Sequence, residues 1–180
     1  MSYRVERCGY AVDEDAALLD VDLVHEFLAR RSYLAHGIPR PVVARSIAHS
    51  LCFGLYELSA SATGATGATG AAPPTQPGRP RADARQIGFA RVVTDRATFA
   101  WLADVFVVEE HRGRGLAKWL VEVLLAHPDL QGLRRFVLAT RDAHGLYARF
   151  GFAPLAEPAR LMEKLDREVY ARGDAGAIRP

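Results

Sequence analysis

Apolar positions along this chain change period several times, and each change marks an element. Residues 3–7 alternate weakly, as a first strand would. Acidic residues at Asp13, Glu14, Asp15 and Asp20 then precede Leu23, Val24, Phe27 and Leu28, which are spaced for one face of a helix. Gly37-Ile38-Pro39-Arg40-Pro41 breaks that helix, and Val42, Val43, Ser46 and Ile47 predict a second, with proline tolerated in its first turn. Residues 51–58 are apolar and aromatic, the composition of a buried strand. Residues 86–94 and 98–108 read as two strands of a hairpin turning at Asp95-Arg96-Ala97.

Further on, Leu116, Leu120, Val123, Leu124 and His127 share a helical face that Pro128 stops. Residues 135–140 predict another strand. Asp142 is placed to cap a short helix that runs through Phe150 and closes at Gly151, and residues 160–165 alternate as a last strand. The order is α+β around a single mixed sheet. The segment 59–83 differs from all of this: it is alanine, threonine, glycine and proline, with three consecutive Ala-Thr-Gly triplets. It has little to bury against its ordering entropy, so it is expected to be a mobile surface insertion within one domain spanning 1–180.

Composition narrows the class without naming a chemistry. With 180 residues, 49% hydrophobic and 24% charged, the chain can bury a core without disulfide or metal support. A net charge of +2 is too mild to predict nucleic-acid binding, and the arginines cluster at turns rather than along one stripe with aromatics. Cys8 and Cys52 form no Cys-x-x-Cys pair and have no histidine cluster beside them, which suits reduced cytoplasmic thiols and no metal. No apolar signal core and no run of about 18 apolar residues is present, so no membrane partner and a cytoplasmic location are expected.

The most informative segment is Arg112-Gly113-Arg114-Gly115-Leu116-Ala117, between a strand and a helix. A helix start leaves backbone N–H groups unpaired at the positive end of its dipole. Gly113 and Gly115 let that backbone approach phosphate oxygens, Arg112 and Arg114 add charge, and Ala117 keeps the first turn small. The dinucleotide fingerprint would need glycine where Lys118 stands, and the P-loop Gly-Lys-Ser/Thr is absent. The letters alone therefore point to an anion held at a helix N-terminus, with a phosphate ester the expected ligand, or else to a glycine-arginine surface turn without one.

The same hexapeptide resembles motif A of the GNAT superfamily of N-acetyltransferases, Gln/Arg-x-x-Gly-x-Gly/Ala. Leu146-Tyr147-Ala148-Arg149-Phe150-Gly151-Phe152 resembles the Leu-Tyr-x-x-x-Gly-Phe signature of that superfamily, at the expected distance downstream. The likeness covers residues 86–165 well and 3–58 only by the order of elements. It implies a GNAT-like fold: a mostly antiparallel twisted sheet of about six to seven strands with about four helices.

It also implies acetyl-CoA as co-substrate and site roles residue by residue. In such folds the strand before motif A bulges and parts from its neighbour so that pantetheine lies in the gap. Phe106, Val107 and Val108 occupy that stretch, and the Val107 N–H would polarise the thioester carbonyl. Thr140 stands where asparagine is common and would bond the pantetheine arm through its hydroxyl. Tyr147 matches the tyrosine that donates a proton to the departing thiolate, or else packs on the acyl chain. Asp104 is a carboxylate inside an apolar strand; it binds the substrate ammonium, accepts its proton through water, or pairs with an arginine across the sheet. The polyamine-acetylating pattern of two acids here is half missing, because Ala103 precedes it. Tyr33, between the first two helices, would line an acceptor pocket or pack on the sheet. Glu109, Glu110 and His111 are expected to be solvated.

These readings lead to transfer of an acetyl group to a primary amine of a small molecule or peptide, by direct attack in a ternary complex, since no cysteine or serine is placed for a covalent intermediate. The alternative is a sensor that binds acyl-CoA without transfer. Open sheet edges make a homodimer a fair expectation.

Overall fold

The computed structural model describes residues 3–59 and 84–172, so the 59–83 insertion lies, apart from Ser59, outside the described residues. Six strands form one sheet in chain order: β1 (Arg4–Arg7), β2 (Tyr10–Asp13), β3 (Leu51–Leu58), β4 (Ala84–Thr94), β5 (Phe99–Val107) and β6 (Arg135–Leu138). Every neighbouring pair is antiparallel except β5 and β6, which run parallel. The helices are α1 (Val21–Arg31), α2 (Arg40–Ala48), α3 (Leu116–Leu125) and α4 (His144–Ala148).

Local chemistry sets the helix starts. Asp20 caps α1, its Oδ1 accepting from the backbone N–H of Asp22 and Leu23 at 3.0 and 2.9 Å. Pro41 sits in the first turn of α2. The sheet then separates two apolar clusters. Val12, Phe53, Leu55, Ala100 and Leu102 pack against α3 through Trp119, Leu120 and Leu124. On the other face Cys52, Phe89 and Phe106 pack against Val24, Leu28, Val43 and Ile47 of α1 and α2. A polar tie closes the far end of α3: Glu14 accepts from the Tyr3 N–H at 2.7 Å and meets His127 Nε2 at 2.7 Å.

Several sequence expectations change. The N-terminal strand is half of a hairpin whose second strand, β2, was not anticipated; Cys8 and Gly9 turn it, both with positive φ. His127 lies beyond the end of α3. β6 stops at Leu138, and α4 is shorter than expected. Asp142 does not cap it: Ala143 is the N-cap, with no side-chain cap bond. Residues 160–165 are not a strand; after a short turn at Pro158–Arg160 they run as exposed irregular chain. Alternation alone cannot hold a strand that has no paired neighbour. Among the described residues, no helix is long and apolar enough to cross a membrane.

Gly88 of β4 has no room for a side chain, since a Cβ there would lie 2.7 Å from the Phe106 carbonyl oxygen and 3.1 Å from Leu55. Gly88→Ala should lower stability by about 1–3 kcal/mol in denaturant titration through forced movement of β5; an unchanged midpoint would show that the strands have slack there.

Candidate active site

The chemistry-bearing residues gather where β5 leaves β6. Parallel pairing runs from Phe99 opposite Arg135 to Leu102 opposite Leu138, and β6 then ends while β5 continues to Val107. At the same place β5 bulges against β4: Phe89 faces Phe106 and Arg91 faces Ala103, so Asp104 and Val105 stand opposite the single residue Ala90. Asp104 takes φ 56° to make the bulge. The extra residue reverses side-chain parity, because Ala100 and Leu102 face α3 whereas Phe106 faces α1. There the Phe106 ring stacks on Phe27 with centroids 3.8 Å apart.

Hydrogen bonding past the bulge fixes the direction of the Val107 peptide. Val108 donates to Ile87 O at 2.8 Å, which makes 87/108 and 89/106 the bonded pairs and Gly88/Val107 the non-bonded pair between them. The Val107 N–H and C=O therefore point away from β4, toward the side that β6 has vacated. Arg112 Nε donates to that carbonyl at 3.2 Å, tying the motif turn to the strand.

The turn matches its sequence reading in conformation and modifies it in side chains. Gly113 and Gly115 have φ 76° and 75°, a region costly for residues with a Cβ, and neither is crowded, so conformation rather than space requires glycine. Gly115 is the N-cap of α3 with no side-chain cap, and the first helical bond is Trp119 N to Gly115 O at 3.0 Å. The N–H groups ahead of Trp119 are thus available to an anion. Leu116 is buried in the core. Arg114 is turned back on the protein, donating to Tyr10 Oη at 3.1 Å and to Glu110 O at 3.2 Å.

A cavity of about 180 Å³ occupies the divergence, bordered by Tyr33, Trp101, Asp104, Leu138, Thr140 and Tyr147 among others. Tyr147, on α4, is only 8% exposed. Burial pushes its phenol up to about 12, with a smaller contribution from Tyr33. Thr140 Oγ1 accepts from the Ala143 N–H at 3.0 Å, closing the turn that precedes α4 and leaving its O–H as a donor. Tyr33 bridges the α1–α2 connection to the loop after β6: its Oη accepts from the Arg141 N–H at 2.9 Å, and the Arg141 guanidinium lies 4.4 Å from its ring centroid. Asp104 has the arginine partner weighed for it, with Arg91 Nε 2.7 Å from Oδ2 and both side chains less than a fifth exposed.

Of the residues named from the sequence, Tyr33, Asp104, Thr140 and Tyr147 border the cavity and Val107 turns its peptide toward the β6 side, whereas Phe106 points its ring into the opposite core and its backbone toward β4, Val108 gives its N–H to Ile87, and Leu116 is buried. One expectation fails outright: His111 is buried at 5% exposure rather than solvated. Its Nε2 lies 3.2 Å from Glu57 Oε2, and its Nδ1 is buried without a hydrogen-bond partner among the described residues. Arg91, which steadies Asp104, was not named, although a charge alternating with Ala90 and Val92 in a core strand was the available signal. Among the described residues, no group of three or more His, Cys, Asp or Glu could hold a metal ion.

Residues 81–154 match the family model for the acetyltransferase (GNAT) domain. A candidate acetyltransferase of Gibberella zeae, FG08082, is 33% identical over 147 residues, which is 79% of this chain and 78% of that protein. The crystal structure of a candidate GNAT-family acetyltransferase from Xanthomonas campestris pv. campestris is 45% identical, covers 92% of this chain and 99% of its own, and superposes with a TM-score of 0.73. Glucosamine-6-phosphate N-acetyltransferase from Arabidopsis thaliana, at 13% identity over 87% of this chain and 97% of its own with a TM-score of 0.51, shares the fold. The chain belongs to the GNAT acetyltransferase family.

The Arg91–Asp104 pair should be measurable in stability. Arg91→Met strands a mostly buried carboxylate and should cost about 3 kcal/mol in denaturant unfolding. Adding Asp104→Asn, which tolerates the left-handed backbone, should recover part of that loss. A cost below about 0.5 kcal/mol for the single variant would mean that the pair does not hold the bulge.

Proposed function

We propose that this protein transfers the acetyl group of acetyl-CoA to a primary amine of a small molecule or peptide, by direct attack within a ternary complex. The observation that carries the reading is the conjunction of a Val107 N–H aimed into the β5/β6 divergence with an uncapped α3 N-terminus beside it. The residues fit such a substrate: the N–H groups from Gly113 to Lys118 suit a diphosphate, and the opening between strands suits an extended pantetheine arm. Acetyl-CoA supplies an activated thioester.

The remaining steps belong to the chain. The Val107 N–H donates to the thioester carbonyl as negative charge develops on its oxygen. Thr140 donates its hydroxyl to the pantetheine amides. Asp104, with Oδ2 committed to Arg91, meets the acceptor nitrogen through Oδ1 and receives its proton directly or through water, while Tyr33 borders the acceptor's approach. Tyr147 gives its proton to the departing thiolate. A phenol at about 12 would be a reluctant acid for a thiolate in water, but burial raises thiols too. A leaving thiolate formed in the same dry surroundings as Tyr147 would have its basicity raised in the same direction.

The described thiols and the cavity serine support direct attack: Cys8 is exposed, Cys52 is buried on the α1–α2 side of the sheet, and Ser32, which borders the cavity, has its Oγ engaged by the Leu34 and Ala35 N–H groups. The alternative, acyl-CoA binding without transfer, makes the opposite prediction in one assay. With a panel of primary amines and thiol detection, release of free CoA is expected, and Tyr147→Phe should lower kcat by about 100-fold with little change in KM for acetyl-CoA. Because the phenol is raised rather than lowered, it stays protonated throughout the accessible alkaline range, so kcat should show no descending limb up to about pH 10. Tight acetyl-CoA binding with no amine turned over would favour the sensor.

A further inference from the structure

The sheet face under α1 and α2 is covered only at one end. The two helices pack on it through Cys52, Phe89 and Phe106. On the other side of the bulge, toward the start of β5, the same face is bare. Ala100 and Leu102 face α3, so Phe99, Trp101 and Ala103 alternate onto the α1–α2 side. Trp101 stands in the middle of that stretch, opposite Val93 of β4 and beside Val137 of β6. It is 40% exposed, and Val93 and Phe99 are open as well. A tryptophan at the centre of three strands offers more apolar surface than any other side chain could there, and a single chain leaves it wet.

Trp101 also belongs to the wall of the site. It lines the cavity between β5 and β6 together with Asp104, three residues further along the strand, and with Leu34 of the α1–α2 connection. The charge of that lining is one-sided. Asp104 and Asp142 are its ionised side chains, and among the described residues no Lys, Arg or His lines it. An acceptor that carries a phosphate or a carboxylate finds no cation in this cavity. An ammonium does find an oxygen, because Arg91 engages Oδ2 of Asp104 and leaves Oδ1. One carboxylate at the inner end and one exposed indole at the outer end make an amphipathic slot, with the polar group fixing orientation and the apolar wall supplying burial.

We propose that the acceptor is an arylalkylamine whose nitrogen sits at Asp104 Oδ1 and whose ring lies on Trp101 beside Leu34. This names the substrate class of the acetyl-transfer reading above and rests on it. Three residues of strand separate the two contacts by about 10 Å, a span that an aromatic ring on a short alkyl arm bridges. The cavity of about 180 Å³ has room for one ring, since about 150 Å³ admits benzene. A diamine of the same length would satisfy Asp104 but would put a second hydrated charge where Trp101 offers apolar surface. In the reaction the ammonium's first proton leaves through Asp104 to water. The freed nitrogen pair then forms the C–N bond, the C–S pair departs on sulfur, Tyr147 protonates the sulfur, and the nitrogen's second proton restores the phenol. The products are the N-acetyl amide and CoA.

With acetyl-CoA and thiol detection, kcat/KM for 2-phenylethylamine should exceed that for ethanolamine or putrescine by about 10–100-fold. Trp101→Ala should remove about tenfold of that preference by raising KM for 2-phenylethylamine, and Trp101→Phe should restore most of it, with far-UV circular dichroism unchanged in both. Titration calorimetry of the CoA-loaded chain with 2-phenylethylamine reads the slot without chemistry and should show binding that Trp101→Ala weakens. Ethanolamine or putrescine turned over as well as the ring-bearing amine overturns the acceptor class while leaving acetyl transfer in place. Calorimetric binding without release of CoA supports the slot and overturns transfer. No binding of 2-phenylethylamine, or a Trp101→Ala loss equal for all three amines, overturns the proposal.

Discussion

The ion pair between Arg91 and Asp104 sits where the pairing of β4 with β5 shifts register. A carboxylate in the middle of a core strand would be expensive alone; paired at 2.7 Å with an arginine of the neighbouring strand, it can be kept there. Holding Asp104 at φ 56° inserts one residue into β5 relative to β4. Without that residue Phe106 would join Ala100 and Leu102 on the α3 face, and α1 would lose the ring that Phe27 stacks on. The bulge thus serves both apolar clusters, and it turns the Val107 peptide toward the opening beyond Leu138.

The segment after β5 depends on this geometry. The turn that leads into α3 is fastened to the strand by Arg112 at the Val107 carbonyl, which helps hold the unpaired N–H groups at the start of α3 in fixed relation to the Val107 N–H. Arg114 works differently from a free cationic clamp, because Tyr10 and Glu110 engage it. Its charge contributes to the local field while its position stiffens the turn. Preorganisation of this sort lowers the cost of ordering a flexible ligand more than it adds contacts. His111 belongs to the same scaffolding, anchoring the residue before Arg112 to Glu57 at the end of β3.

Much of this was legible in the letters where local chemistry decides the outcome. The first helix after its acidic lead, the proline in the first turn of α2, the 86–108 hairpin and the glycine-broken turn all depend on neighbours in sequence. Likeness to the GNAT motifs carried the bulge, although the residue responsible, Asp104, was picked out on its own for being a carboxylate in an apolar strand. The misses share a different origin. β2 depends on partners in β1 and β3, and the burial of His111 depends on Glu57, which is distant in sequence. β6 ends at Leu138, and Thr140 falls in the turn before α4, where its Oγ1 accepts from the Ala143 N–H. Residues 160–165 have the right alternation, but within one chain no strand receives them. Periodicity reports what a segment can pair with, and pairing itself is decided across the sheet.

The bulged end of β5 and the start of α3 should act as one binding surface for an acyl-CoA, and a crystal structure of the protein with CoA tests this most directly. The diphosphate is expected within hydrogen-bond distance of the N–H groups between Gly113 and Lys118, with the pantetheine arm running between β5 and β6 and its sulfur beside Val107 and Tyr147. CoA bound with its diphosphate away from that turn, or with its arm outside the β5/β6 divergence, would contradict it.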